Sequence, residues 1–234
     1  MKEMWKWMEI PILYEDNHLL VVEKPVNIPV QEDSTGDEDL LTMLKADIKI
    51  RYQKPGNVYL GLIHRLDRPV GGAMVFGKTS KAASRLSDAM RRGAFDKDYL
   101  AVVRGRPSSQ KAVLEDYLFK DRRANKVHIV SSNHHKAKKA VLTYEVISQN
   151  NDLSLLAIKL ETGRPHQIRV QLASIGCPIY GDQKYGQNVN KPGQQIALWS
   201  HQLAVEHPTN KDTVTASSLP PAVYPWNQWP EFCK

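Results

Sequence analysis

The residues best placed to do chemistry lie between His64 and Gly72, which read His-Arg-Leu-Asp-Arg-Pro-Val-Gly-Gly. Asp67 is at the centre, with Arg65 and Arg68 on either side. Pro69 fixes its own φ, and Gly71 and Gly72 tolerate positive φ, so the carboxylate is expected to sit in a tight bend. Two flanking cations favour its ionised form, which suits a nucleophile or an electrostatic stabiliser better than a general acid. Asp, Pro and Gly are also what ordinary turns are made of, so these residues alone read more readily as a salt-bridged surface bend.

Two further stretches add polar groups at fixed spacing. Glu161-Thr-Gly-Arg-Pro-His-Gln-Ile-Arg169 is followed by Gly176-Cys-Pro-Ile-Tyr-Gly-Asp-Gln-Lys-Tyr-Gly186, and Lys97-Asp-Tyr-Leu-Ala101 lies between these and the aspartate. Together they resemble the RluA family of pseudouridine synthases. That family's pattern is His-Arg-Leu-Asp-x-x-Thr-Ser-Gly, Lys-x-Tyr, Thr-Gly-Arg-x-His-Gln-Ile/Leu-Arg and Gly-Asp-x-x-Tyr-Gly. The likeness runs from Ile12 to the His207-Pro208 pair, with several separate motifs in the right order. One departure is Val70-Gly71, where the pattern has Thr-Ser.

The resemblance implies a mixed α+β fold, a single catalytic domain over residues 1–234 with a largely antiparallel central sheet flanked by helices and loops. It implies isomerisation of uridines to pseudouridine in ribosomal or transfer RNA, with no cofactor. Asp67 is then the nucleophile, at C6 of the base or C1′ of the sugar. Tyr99 stacks on the flipped base, and Arg169 pairs with Asp67. Arg65 contacts RNA or fills the space that the base vacates, and His64, Arg164, His166 and Gln167 are further substrate-binding candidates. Without the resemblance, Tyr99 reads as a core aromatic at a strand start and Arg169 as a surface residue.

Length and composition are compatible with this. A chain of 234 residues can bury a full core, and a net charge of +7 suits a polyanionic partner. Cys177 and Cys233 stand far apart without CxxC spacing, giving neither a disulfide framework nor a zinc site. His134-His135 lack partners at ligand spacing, so no metal is expected. Lys and Glu interrupt the apolar residues of positions 1–10, and no long apolar run follows, so neither a signal peptide nor a spanning helix is expected. A monomeric, cytoplasmic protein away from membranes is the expectation. A strand beginning at Ile10 leaves no room for the S4-type domain that many RluA relatives carry ahead of the catalytic domain.

These candidates must be positioned by the elements around them. Ile10–Tyr14 and Leu19–Glu23 read as strands, and Leu40, Leu41, Leu44 and Ile48 recur at helical spacing. Gly61–Ile63 and Ala73–Phe76 place Asp67 between two strands. Gly72 to Thr79 formally matches GxxxxGK[ST], but its variable positions are bulky and strand-like, which argues against a nucleotide-binding loop and an ATPase. Thr79 caps a helix to Arg92 whose apolar side is Ala82, Ala83, Leu86, Ala89 and Met90. Asp98–Val103 is a strand. Lys120–Lys139 forms a basic hairpin around Val127–Val130, and Lys136, Lys138 and Lys139 either lie along phosphates or are simply solvated. Val141–Ile147 and Leu153–Leu160 pair as strands joined by a turn. They lead to a helix with Pro165 at its first position, Ile168, Leu172 and Ile175 on its core face, and Gly176 beyond its end. Late strands within Ile196–Ala216 and a Pro- and Trp-rich covering segment complete the chain. A binding-only RNA chaperone with the same fold is the alternative suggested by Val70-Gly71.

Overall fold

The computed structural model describes residues 9–234. Most of the first ten residues, on which the reading of the N-terminus rests, lie outside the described range. The chain forms two compact units, one comprising residues up to Ala94 together with Ala204–Ser218, the other Phe95–Leu203 together with Leu219–Lys234. The fold is mixed α+β, with mostly antiparallel sheet and three helices.

In the first unit, β1 (Ile12–Glu15), β2 (Leu19–Lys24), β3 (Gly61–Leu62) and β4 (Gly71–Gly77) pair antiparallel, with β4 taking β2 on one side and β3 on the other. Every residue of β4 is buried, which is why its sequence runs apolar rather than alternating. Its backbone is committed to strand pairing, with Leu20 opposite Phe76 and Val22 opposite Met74. The GxxxxGK[ST] match therefore lies on a strand and has no phosphate-cradling geometry. Gly71 and Gly72 open this strand, so they are not loop residues as the sequence suggests; of the two, Gly72 has a positive φ, 114°.

Helix α1 (Leu40–Arg51) begins at Asp39, whose carboxylate accepts the Thr42 N–H at 3.1 Å and the Thr42 hydroxyl at 2.8 Å. Leu40, Met43, Leu44 and Ile48 form its buried face. Thr79 caps α2 (Ser80–Arg91) in the same way through the Ala82 N–H. Ala82, Ala83 and Leu86 of α2 are buried, whereas Ala89 and Met90 are only half-buried.

The second unit carries β5 (Phe95–Arg104), β6 (Lys111–Asp121), β7 (Lys126–Val130), β8 (Lys138–Asn150) and β9 (Leu153–Leu160) in the spatial order β5-β9-β8-β6-β7. All four neighbouring pairs are antiparallel. The basic region divides differently from the sequence reading. The hairpin is β6–β7, turning at Asp121–Lys126, and the chain then crosses to the opposite edge of β6 to begin β8 at Lys138.

Helix α3 runs over Gln167–Ser174, with His166 as its N-cap at φ 51°. Pro165 therefore precedes the cap and is not the first helical residue: a left-handed residue stands between it and the helix. Ile168 and Leu172 are buried, but Ile175, the C-cap, is 38% exposed and lies off the core face. Gly176 follows at φ 78°, the left-handed stop expected there. Val170 packs with Leu118, Val127 and Ala140 against Tyr185, seating α3 on β6, β7 and β8. The remaining strands are β10 (Leu198–Glu206) and β11 (Thr213–Ser217), and Trp226 and Trp229 of the last segment are buried.

Removing the α1 cap with Asp39→Ala leaves helix-terminal N–H groups and the Thr42 hydroxyl without their acceptor. The urea unfolding midpoint should fall by the equivalent of about 1 kcal/mol, and an unchanged midpoint would show that the cap is dispensable.

Candidate active site

Asp67 is half-buried in the connection between β3 and β4, and its carbonyl accepts the Val70 N–H at 2.9 Å, closing the bend. What fixes this bend is a lysine that the sequence shows only as the end of β2. Lys24 is fully buried, and its Nζ donates to the carbonyls of Pro25 at 2.9 Å, Arg68 at 2.9 Å and Val70 at 2.8 Å. Three carbonyls take all three N–H groups of an ammonium, so the charged form matches the geometry. Burial pushes its pKa down to about 7, while the Asp67 carboxylate pulls it back up and Arg68 adds to the depression.

The two flanking arginines diverge. Arg68 turns away to the 27–37 loop, with Nε on the Asn27 carbonyl, Nη1 on Thr35 and an ion pair to Asp37. Its guanidinium is thus engaged by a different carboxylate from the one the sequence places beside it. Arg65 is exposed and makes no ion pair or side-chain hydrogen bond among the described residues. His64 is half-buried; its Nε2 accepts the Val75 N–H at 3.1 Å and braces the loop against β4. Val70 is 2% exposed, so the methyl that replaces the threonine hydroxyl faces protein interior.

In the second unit, Tyr99 lies on β5 opposite Ile158 of β9 and is buried. Lys97, two residues earlier on the same face, is also buried; burial and then the charge of Arg164 hold its ammonium below the ordinary lysine range. Arg169 is 7% exposed and forms a bidentate pair with fully buried Asp182, Nε to Oδ2 at 2.8 Å and Nη2 to Oδ1 at 2.8 Å. Burial raises the Asp182 pKa, but the hydrogen bond and charge of Arg169 outweigh it, helped by the backbone N–H groups of Lys184 and Tyr185, so the net shift is downward. The Tyr185 ring lies 5.3 Å from the guanidinium carbon, and its hydroxyl joins Val127 N, at 2.8 Å, to His166 Nδ1, at 2.7 Å. The Val127 N–H donates to the phenol oxygen, and the direction of the bond between the phenol and His166 Nδ1 follows the imidazole tautomer.

The Asp182 loop depends on Gly181. With φ 78° and a would-be Cβ 2.2 Å from the Gln195 carbonyl oxygen, no other residue fits there without displacing backbone. Asn190 ties the loop by accepting the Gly181 N–H and donating to the Ile179 carbonyl.

Gln167 is buried and its amide is used inside the protein. Oε1 accepts from Thr162 Oγ1 and Arg164 N, and Nε2 donates to the Val141 carbonyl. It braces the Thr162–Arg164 turn. Arg164 is half-buried with Nε on the Lys139 carbonyl. Lys136, Lys138 and Lys139 are exposed, and Lys139 pairs with Glu115 at 2.8 Å. No cluster of three or more potential metal ligands occurs among the described residues, and no helix there is long and apolar enough to cross a membrane.

A family model described as RNA pseudouridylate synthase matches residues 18–174, a stretch that includes the Asp67 bend, Tyr99 and Arg169. The chain belongs to that family. The RNA pseudouridine synthase YhcT of Bacillus subtilis, whose name marks it as uncharacterised, is 33% identical over 92% of this chain and 70% of its own length. Ribosomal large subunit pseudouridine synthase D of Borreliella burgdorferi is 30% identical over 87% of this chain and 63% of its own. The solved structure of human RNA pseudouridylate synthase domain containing 4 shares the fold, with a TM-score of 0.74 and 24% identity over 89% of this chain and 87% of that one. The RluA-type reading of the motifs therefore stands, and the synthase is an isomerase that acts on RNA.

In this pseudouridine synthase, Lys24 of the first unit and Asp182 and Tyr185 of the second have structural roles that a motif-by-motif reading does not assign. Each carried a signal. Lys24 precedes Pro25 where an apolar strand should end, and Asp182 and Tyr185 occupy the last quoted motif. Replacing Lys24 by Met removes three hydrogen bonds from buried carbonyls. The variant should lose about 3 kcal/mol of stability or more and should lose turnover at temperatures where it remains folded. Full activity in a folded Lys24→Met protein would remove the lysine from the account of the Asp67 bend.

Proposed function

We propose that this synthase isomerises uridine to pseudouridine with Asp67 as nucleophile, and that residues 1–234 work as a single catalytic domain. The observation that carries the reading is the Asp67 bend, clamped by a buried ammonium in a chain of this family. Asp67 attacks the uridine at C6 of the base or C1′ of the sugar. The C1′–N1 bond breaks, the uracil turns, C1′ bonds to C5, and the bond from Asp67 to C6 or C1′ breaks with its electron pair returning to the carboxylate. C5 then gives up its proton to solvent, and N1, no longer bonded to the sugar, ends with a proton. Electrons and atoms balance without a cofactor, a metal or a co-substrate. The uridine must leave its stack to reach the carboxylate.

The motif match assigns the remaining roles. Tyr99 is the ring that stacks on the detached base, Arg169 is the cation that keeps the nucleophile ionised, and exposed Arg65 meets the RNA. His64, Arg164, His166 and Gln167 support substrate binding, the first and last through the braces described above. Lys136, Lys138 and Lys139 add phosphate contacts. Relatives named for the large ribosomal subunit favour ribosomal RNA as the substrate class over transfer RNA. A monomer working in the cytoplasm is consistent with this role.

Turnover is read as tritium released from C5-labelled uridine in total RNA from a strain lacking the gene. The natural protein should release tritium, whereas Asp67→Asn should release none and bind the same RNA within about twofold, since the change is nearly isosteric and removes only the nucleophile. Appreciable release by the variant would end the assignment of Asp67.

Val70-Gly71 bears on the binding-only alternative. Val70 is buried, so a threonine hydroxyl there needs an internal partner or costs about 1 kcal/mol or more. Val70→Thr/Gly71→Ser should therefore change turnover by no more than roughly tenfold and gain no stability. A silent natural protein beside a strongly active double variant would instead favour the chaperone.

A further inference from the structure

The outward side of α1 carries a cationic surface that none of the motifs includes. A groove of about 360 Å³ runs between this helix and residues 57–58, lined by Lys45, Ala46, Lys49, Asn57 and Val58. Lys45 and Lys49 lie one turn apart on the same face. The helix then ends in a Schellman turn: Gln53 adopts φ 48°, its N–H bonds the Ile50 carbonyl, and the Lys54 N–H returns to the Lys49 carbonyl at 3.0 Å. That turn folds Lys54 back beside Lys49. It also leaves Tyr52 half-exposed, with Arg51, Lys54 and Lys78 all within 6.0 Å of its ring centroid.

Charge pairing separates these lysines from many of the cations in the same unit, though Lys81 and Arg85 of α2 likewise have no carboxylate partner among the described residues. In the same unit Arg51, Arg68, Lys78, Arg91, Arg92 and Lys211 each pair with a carboxylate. Lys45, Lys49 and Lys54 have no ion-pair partner among the described residues, and nearby Asp47 is taken by Arg51. Basic residues in a last turn do answer the helix dipole, which accounts for Lys49 and Arg51. Lys45 lies before that turn and Lys54 beyond it, so the dipole does not account for them. Lys45 and Lys49 line the groove and Lys54 follows at the helix end beside Tyr52; gathering like charges there costs repulsion, which an anionic ligand removes.

We propose that Lys45, Lys49 and Lys54 grip backbone phosphates of the substrate RNA outside the target nucleotide. This rests on the reading of the protein as an RNA-modifying enzyme, and each lysine that meets a backbone phosphate releases about one counterion.

The test compares Lys45→Gln/Lys49→Gln/Lys54→Gln with a control of equal charge change on α2, Lys81→Gln/Arg91→Gln/Arg92→Gln. Both are assayed for binding to the tritiated total RNA across a salt series, with circular dichroism verifying the fold. In the α1 variant the slope of log affinity against log salt should shrink by about 2 to 3, with affinity at 0.1 M salt down roughly tenfold or more. Turnover at saturating RNA should stay at the natural level, because only binding is touched. The control should move far less. Equal losses in both variants would mean bulk charge alone and overturn the inference, as would an unchanged slope in the α1 variant. Either result leaves the catalytic reading standing if the natural protein releases tritium. Failure of the natural protein to release tritium would sink that reading instead, while a slope change confined to the α1 variant would still support the surface.

Discussion

A single buried ammonium holds the Asp67 bend. The Lys24 Nζ takes carbonyls from Pro25, directly after β2, and from Arg68 and Val70, on the bend that follows Asp67. A loop of this kind exposes backbone acceptors that no strand can pair, and those acceptors must find donors when they are buried. An ammonium is the one side-chain group that satisfies three at once from a point. The same charge lies near enough to the aspartate to interact with it electrostatically. Loop geometry and local field thus come from one residue, and its burial is sustained because every donor is used.

The second unit solves a related problem differently. Its buried arginine is matched by a buried carboxylate in bidentate geometry, and the carboxylate is matched in turn by two backbone N–H groups. Burying an ion pair is costly unless the remaining lone pairs are filled. The Lys184 and Tyr185 N–H groups both donate to Asp182 Oδ1, adding to the bond from Arg169 there. Tyr185 then links the pair to His166 and to Val127 of β7, so the orientation of Arg169 is tied to the strand beneath α3. Arg169 cannot swing freely, and a fixed guanidinium is pre-organised for whatever anion it meets.

Positive charge is distributed unevenly over the surface. Much of it is locally neutralised, as with Lys139 on Glu115 and Arg92 on Asp88. Such exposed pairs contribute little to stability. Cations left without a carboxylate, among them Arg65 and the lysines of α1, are those an incoming polyanion reaches without first breaking a pair.

The sequence by itself determined the family, the strands β2, β4, β5, β8 and β9, the presence of three helices and the position of the aspartate between two strands, but it left β6 (Lys111–Asp121) unread. These are local properties: apolar runs with β-branched residues make β2, β4 and β9, the caps Asp39 and Thr79 set helix starts, and the motifs survive as contiguous strings. Only the tertiary structure decided which polar groups are partnered. Arg68 adjoins Asp67 in sequence yet pairs with Asp37, because Pro69 and the closing bond from Val70 to Asp67 turn the chain. Lys24 is 44 residues from Arg68 in sequence and touches its carbonyl, because β2 pairs with β4 in a register that sets Lys24 opposite Gly72. Pro165 and Ile175 fall outside α3 as the sequence reads it because His166 takes a left-handed conformation and the helix stops a residue early. Hydrophobic period and capping chemistry are written along the chain, whereas hydrogen-bond partnership across strands is written in the register, which emerges only when the strands pair.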